Sequence, residues 1–126
     1  MLDKSIPYMG VLMIKEAPDN YPRYCLPDGY SFCMYESGRE NDWAVLEAAV
    51  GEFNSTIEAV EYFRSTFMAD EDELTKRCIF VKSQEGEIVA TSTAWYGTLF
   101  DDEVMPRVHW VSVHPRHQGK GIAKAL

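Results

Sequence analysis

The sequence predicts a mixed α/β domain with a mostly antiparallel sheet and flanking helices. Three observations indicate this class. Residues 30–35 and 108–113 have the patterns of strands, and residues 77–95 hold two strand patterns joined by a turn. Between the first strand and this hairpin, apolar residues recur at helical spacing. A strand that leads directly into a glycine-containing loop and a helix start completes the order.

The composition is that of one folded domain. Of the 126 residues, 46% are hydrophobic and 25% are charged, which suits a single core and excludes a disordered chain. Three widely spaced cysteines argue against a disulfide framework and predict reduced thiols in the cytoplasm. The sequence shows neither a signal-peptide pattern nor an apolar run of membrane-spanning length. A net charge of −8 argues against nucleic-acid and membrane partners.

We expect residues 1–26 to form an N-terminal extension and residues 27–126 to form the domain. Within the extension, residues 10–14 predict a short strand. The stretch 18–27 is rich in proline and tyrosine, and it is too broken for a regular element. The first strand of the domain is expected at residues 30–35, where apolar and polar side chains alternate.

Two helices are predicted next. The first has Asn41 or Asp42 available as N-cap, and its buried face carries Trp43, Leu46, Val50 and Phe53. The second opens with a capping box, in which Ser55 and Glu58 satisfy each other's backbone donors. Its buried face is predicted to contain Ile57, Val60, Phe63 and Phe67. The acidic run at residues 70–73 predicts a solvated helix end, with a rim that attracts a cationic amine as the alternative.

A hairpin of strands follows the helices. Its strands are predicted at residues 77–81 and 88–95, joined by a glycine-containing turn. A loop through Gly97 and Pro106 then leads to the last strand at residues 108–113. Both faces of that strand are rich in apolar side chains, which predicts a central position in the sheet.

The segment after the last strand has the features of an anion site. Residues 107–126 contain no acidic side chain, and Arg116 and Lys120 are basic. Gly119 and Gly121 carry no side chains, so a pyrophosphate can approach the first amides of the following helix. Those amides lack partners within the helix, and their dipoles favour an anion.

Two common phosphate loops do not fit this segment. The Walker pattern requires Lys and then Ser or Thr after its second glycine, whereas Ile122 follows Gly121. The dinucleotide fingerprint requires three glycines and a later acidic residue, which are absent from residues 114–126. A protein that binds a different phosphate ligand with the same loop remains a further alternative.

The loop instead resembles a family signature. The motif Q-x-x-G-x-A at residues 118–123 follows V-x-V-x-P at residues 111–115. Together they resemble the acetyl-CoA signature of the GNAT superfamily of N-acyltransferases, which reads Gln or Arg, two residues, Gly, one residue, and Gly or Ala. The resemblance covers residues 27–126 and implies a GNAT-like fold.

The resemblance implies roles for particular residues. Backbone groups of Val111, Ser112 and Val113 would pair with the pantetheine arm, and the Val113 amide would stabilise the thioester oxyanion. His109 is the proposed general base, since its ordinary pKa near 6.5 suits proton removal; the alternative is a structural histidine between strands. No metal is expected. The pyrophosphate would be held by the amides of Gln118, Gly119, Lys120, Gly121, Ile122 and Ala123.

The implied activity is transfer of an acetyl group from acetyl-CoA to a primary amine of a small molecule or peptide. The alternative is a non-catalytic or truncated module that binds acyl-CoA or associates with another chain. Since the sequence ends at Leu126, one turn into the last helix, we expect the fold to be truncated after the phosphate loop. The general acid, often a later tyrosine, would then be missing. Residues 108–113 would form an exposed apolar edge that favours self-association.

Overall fold

The computed structural model describes residues 5–7, 9–10, 13–14, 21–100 and 103–126. The elements follow the predicted class, a mixed α/β domain with an antiparallel sheet. In chain order they are β1 (Tyr30–Met34), α1 (Glu40–Val50), α2 (Thr56–Phe67), a 3-10 turn (Met68–Asp70), α3 (Glu71–Arg77), β2 (Cys78–Ser83), β3 (Ile88–Phe100), β4 (Glu103–Val113), a second 3-10 turn (Pro115–His117) and α4 (Ile122–Ala125).

The sheet is antiparallel throughout and has the order β1-β2-β3-β4. Its register places Ala90 of β3 opposite both Val81 of β2 and Val113 of β4. Within the described residues β4 pairs only with β3, so it is an edge strand. The prediction of a central position for residues 108–113 is therefore wrong for this sheet, and the expected exposed edge is present. Val108 on this edge is 66% exposed.

One face of the sheet is covered by α1, α2 and α3 through an aromatic core. Trp43 of α1 meets Phe63 of α2 at a ring-centroid distance of 5.1 Å, and both are fully buried. Phe80 of β2 and Leu74 of α3 are also fully buried in this cluster. Burial of each large apolar side chain contributes roughly 1.5–3 kcal/mol, which makes this cluster the main source of stability.

Part of the opposite face of the sheet is covered by α4, whereas Phe32 on that face is exposed. Ile122 of α4 is buried against Val81, Val89 and Ala90, and Leu26 packs at the margin of this second cluster. Because β2 is covered on both faces near Val81, its burial does not alternate simply.

The start of α1 differs from the prediction. Its N-cap is Arg39, which makes no capping side-chain bond, rather than Asn41 or Asp42. The carboxylate of Asp42 is instead 2.7 Å from Nε of Arg39, inside the first turn. The helix ends before Gly51, which adopts a left-handed φ of 88°, so Phe53 lies beyond it.

The start of α2 confirms the predicted cap at Ser55, whose hydroxyl accepts the Glu58 N–H at 3.2 Å. The reciprocal half of the box differs, because Glu58 accepts from the Asn54 N–H at 3.1 Å. Phe63 and Phe67 are buried as predicted, and Val60 is partly buried. Ile57 is 74% exposed, and Ala59 takes the buried position one turn before Phe63.

The acidic run at residues 70–73 begins a helix, α3, which the sequence analysis did not predict as a separate element. Asp70 is its N-cap, and its carboxylate accepts the Glu73 N–H at 3.4 Å. Glu73 in turn bonds Lys76 at 2.8 Å and Arg77 at 2.7 Å. Carboxylates at a helix start complement the backbone dipole, so the run stabilises α3.

The β2–β3 hairpin is confirmed, and its turn contains Gly86 at a φ of 88°. The predicted loop through Gly97 and Pro106 is wrong, because both residues lie within strands and Tyr96 pairs with Pro106. Proline is tolerated on an edge strand, where an N–H is not needed on the open side. A Cβ at Gly97 would clash with the carbonyl oxygen of Met105, so glycine allows the two strands to approach.

The N-terminal strand predicted at residues 10–14 lies partly outside the described residues, since Val11 and Leu12 are not described. Gly10, Met13 and Ile14 are described and belong to no strand. Residues 21–27 have no regular secondary structure, in agreement with their composition. Among the helices in the described ranges, none has the length and apolar character needed to cross a membrane.

Replacement of the α2 cap tests this local account. We expect Ser55→Ala to lower the free energy of unfolding by about 1 kcal/mol, because the Glu58 N–H loses its acceptor. Ser65→Ala is the matched control, since the Ser65 hydroxyl only bonds the Tyr62 carbonyl within the same helix. Urea unfolding of both variants measures the difference. Equal losses in the two variants would contradict the capping role.

Candidate functional site

Strand β4 contains a bulge at Trp110. His109 pairs with Thr93 and Ser112 pairs with Thr91, so two residues of β4 oppose one residue of β3. Trp110 has a φ of 53°, a left-handed conformation that costs a residue with a Cβ about 1–2 kcal/mol. Its ring lies within 6 Å of Trp43, Phe53 and Tyr62, measured between centroids at 5.7, 5.4 and 5.3 Å. This aromatic packing holds the strained backbone in place.

The bulge changes which side chains face the helices. Residues three apart on a regular strand point to opposite faces. His109 and Ser112 nevertheless both point to the helix-covered face. The His109 ring meets Phe67 of α2 at 6.5 Å, and the Ser112 hydroxyl bonds Glu47 of α1. The extra residue therefore brings His109 and Ser112 to one side of the sheet.

The end of β4 turns one amide toward the open edge. The N–H of His114 donates to the Val89 carbonyl at 2.8 Å, which directs it toward β3. Consecutive amides of an extended strand point to opposite sides, so the Val113 N–H points away from β3. The Val113 carbonyl lies on the same open side, where it accepts from Nε2 of Gln118 at 2.9 Å. Val111 is half-exposed beside it.

The loop after β4 leaves its backbone accessible. Gly119 and Gly121 have φ angles of 75° and 84°, and a Cβ at either would meet no protein atom within 4 Å. The N-cap of α4 is Gly121, and no side chain caps this helix. The first amides of α4 are therefore available to an anion that approaches from the open space over the glycines.

Two contacts fix this loop against the sheet. The side chain of Ile122, at the start of α4, is buried in the second cluster, whereas Ala123 beside it is exposed. Gln118 is bonded to the Val113 carbonyl, so the loop and the end of β4 form one unit. The structure thus places residues 118–123 next to residues 111–113.

A tyrosine of β1 holds two basic groups beside the loop. The Tyr30 hydroxyl is 3.0 Å from Nζ of Lys120 and 2.8 Å from Nδ1 of His117. Burial and the charge of Lys120 lower the pKa of His117. Arg116 lies 3.6 Å from Glu87, in an exposed pair. Lys120 is the cation whose side chain is fixed near the glycines.

The side chain of the proposed general base, His109, lies on the helix-covered face of the sheet. His109 is partly buried, and its Nε2 is buried with no hydrogen-bond partner among the described residues. Burial and the charge of Arg107 lower the pKa of His109 below its ordinary value. The ring is therefore neutral at neutral pH and can accept a proton. In the described ranges, no three His, Cys, Asp or Glu side chains are arranged to hold a metal.

Glu47 was not predicted as a site residue from the sequence. This side chain of α1 is fully buried, and its Oε2 accepts the Ser112 hydroxyl at 2.9 Å. Burial raises the pKa of Glu47 to about 8, and the charge of Glu52 adds to the effect. One signal was available: Glu47 stands four residues after Trp43 and three before Val50, on the apolar face of the predicted helix.

The chain is similar to proteins of one known family. Residues 42–126 match the model of the acetyltransferase (GNAT) family. Among solved structures, the fold is similar to that of a GCN5-related N-acetyltransferase from Sphaerobacter thermophilus, with a TM-score of 0.52 and 20% sequence identity. The match covers 78% of this chain and 30% of that protein. No curated protein sequence matches the chain.

The buried carboxyl group predicts a pH dependence of stability. Glu47 keeps its proton in the folded chain up to about pH 8, whereas in the unfolded chain it ionises near 4.5. Ionisation between these two values stabilises only the unfolded chain. The free energy of unfolding should therefore fall as the pH rises from about 4.5 to about 8, by a few kcal/mol at about 1.4 kcal/mol per pKa unit.

Glu47→Gln should remove this contribution, because its amide does not titrate. The difference in free energy of unfolding, variant minus wild type, should grow with pH over that range. Urea unfolding of both chains at several pH values measures it. Curves that stay parallel across the range would contradict a buried, protonated Glu47.

Proposed function

The chain belongs to the acetyltransferase (GNAT) family, and from this premise we propose that it transfers an acetyl group from acetyl-CoA to a primary amine of a small molecule or peptide. Membership in the family indicates acyl transfer in general. The observation that carries the specific proposal is the outward Val113 amide next to an uncapped, glycine-containing loop. One ligand molecule can place its phosphate groups on the loop and its thioester oxygen at the Val113 amide.

We propose that the backbone amides of residues 118–123 bind the pyrophosphate of acetyl-CoA. Their support is the open space over Gly119 and Gly121 and the absence of a side-chain cap on α4. Lys120, held by Tyr30, adds a positive charge at the same place. Ile122 contributes its amide while its side chain anchors the helix.

The backbone of Val111, Ser112 and Val113 is proposed to pair with the pantetheine arm along the open edge of β4. The Val113 N–H then donates to the thioester oxygen as negative charge develops on it. Loss of one such donor typically lowers kcat by about 10²–10³-fold. Because the donor is backbone, the geometry of β4 matters more than the side chain at this position.

The proposed reaction is direct attack. The amine nitrogen forms a bond to the thioester carbon, the carbon–sulfur bond breaks, and coenzyme A leaves as the thiolate. The amine gives up a proton, which is proposed to pass through water to His109, since Nε2 of His109 is buried. Its lowered pKa keeps the ring in the neutral form that a proton acceptor requires, and it also makes the ring a weaker base than a free histidine.

The chain spans 30% of the length of the solved relative, so the activity of the whole protein is part of the proposal. We also propose a cytoplasmic location, which the free thiols of Cys25, Cys33 and Cys78 support. The exposed apolar edge of β4 supports association of two copies. Binding of acetyl-CoA without transfer to any amine would favour the alternative, an acyl-CoA-binding module.

The phosphate loop is tested by titration of the 126-residue chain with acetyl-CoA in a calorimeter. Gly121→Glu should abolish binding, because a carboxylate would occupy the space proposed for the pyrophosphate and repel it. Gly38→Glu is the matched control, since Gly38 has a φ of 87° and equally open surroundings outside this loop. It should bind as wild type does. Equal binding by both variants would contradict the proposed site.

The proposed base is tested with His109→Gln. We expect kcat to fall by about 10²-fold with little change in the KM for acetyl-CoA, because proton removal is lost while binding is kept. In the wild type, the acidic limb of kcat should lie below about pH 6.5, since the pKa of His109 is lowered. His114→Gln, the same replacement outside the proposed proton path, should keep kcat. An acidic limb that persists in His109→Gln would exclude this base.

A further inference from the structure

Glu47 is an unexpected residue for its position. It is fully buried in an apolar helix face, and among the described residues it forms no ion pair. Its Oε2 bonds Ser112, whereas its Oε1 is buried without a hydrogen-bond partner in the described part of the chain. A buried polar atom without a partner costs free energy, so a leucine or methionine here would stabilise the chain more. The pair with Ser112 therefore calls for a role other than stability.

The contact with Ser112 lies at a critical point of β4. Ser112 follows the bulge at Trp110 directly after Val111, and it precedes the residue whose amide faces the open edge. Aromatic packing holds the Trp110 side chain, two residues before Ser112. The Glu47–Ser112 bond is the side-chain hydrogen bond that joins α1 to β4 within the described residues.

We propose that Glu47 is a positioning residue for acetyl transfer, which acts through Ser112 to hold the Val113 amide toward the open edge of β4. This inference rests on the proposed function, since it assigns the Val113 amide to the thioester oxygen. Glu47 touches neither acetyl-CoA nor the amine in this account.

The physical route is short. The Val113 N–H belongs to the peptide unit that begins at Ser112, so its direction depends on the backbone angles of Ser112. A bulge weakens the ladder locally and gives these angles more freedom than a regular strand allows. The bond to Glu47 draws the Ser112 side chain toward α1, which restricts rotation of that peptide unit. The amide is thereby oriented before substrate binds.

The protonated state suits this task. Burial keeps Glu47 neutral at neutral pH, so its contact with Ser112 is a bond between two uncharged groups. A glutamine has the same shape and also accepts from the Ser112 hydroxyl. Leucine has a similar volume but accepts nothing. The pair Glu47→Gln and Glu47→Leu therefore separates the hydrogen bond from packing.

The test measures two properties of the full chain in these variants. The first is the ¹H–¹⁵N resonance and hydrogen exchange of the Val113 amide without substrate, and the second is kcat with acetyl-CoA and an amine. In Glu47→Leu the Val113 amide should shift and kcat should fall about tenfold, part of the loss expected for a missing oxyanion donor. Its KM for acetyl-CoA should stay unchanged, and its free energy of unfolding should not fall. Glu47→Gln should match the wild type in both properties.

Val50→Ala controls for general loosening of α1, because Val50 is buried on the same helix and makes no bond to β4. It should lower stability and leave the Val113 amide in place. The inference is overturned if Glu47→Leu keeps the wild-type amide and kcat, if Glu47→Gln loses as much as Glu47→Leu, or if Val50→Ala shifts the amide equally. A wild-type chain without transfer to any amine would contradict the proposed function, while the amide comparison still decides the role of Glu47.

Discussion

The bulge in β4 is the constraint on which the rest of the site depends. A left-handed backbone at Trp110 inserts one extra residue and rotates everything that follows relative to β3. His109 and Ser112 then share the helix-covered face, while the Val113 amide is directed to the open edge. Without the extra residue, the side chains beyond it would exchange faces. The aromatic core of α1 and α2 thus stabilises the fold and also holds the strained backbone at Trp110 in place.

The two faces of the sheet carry different parts of the proposed site. The face under α1 and α2 holds the ionisable groups His109 and Glu47, where burial changes the pKa of each. The face under α4 holds the proposed phosphate loop, anchored by Ile122 in a small apolar cluster. Strand β4 belongs to both, so it connects the proposed pyrophosphate site to the proposed proton acceptor. The open edge of β4 lies between these two places, so the proposed thioester oxygen lies between the proposed pyrophosphate site and His109.

The loop at residues 118–123 was predictable because its chemistry is local: glycines, a helix start and the absence of acids follow one another in sequence. The bulge at Trp110 was not, since it depends on pairing with a strand that the V-x-V pattern does not identify. Glu47 has its partner 65 residues away, so only its place on an apolar helix face marked it. Pro106 predicted a loop, yet an edge strand tolerates proline because its outer N–H is not needed. The α/β class and the β2–β3 hairpin follow from periodicity, and both are confirmed.

The central claim is that one molecule of acetyl-CoA is bound by the loop and by the open edge of β4 together. A crystal structure of the chain with acetyl-CoA tests it most directly. The account predicts the pyrophosphate on the amides of residues 118–123 and the thioester oxygen within hydrogen-bond distance of the Val113 nitrogen. A pyrophosphate bound elsewhere, or a Val113 N–H directed into the β3 ladder, would contradict it.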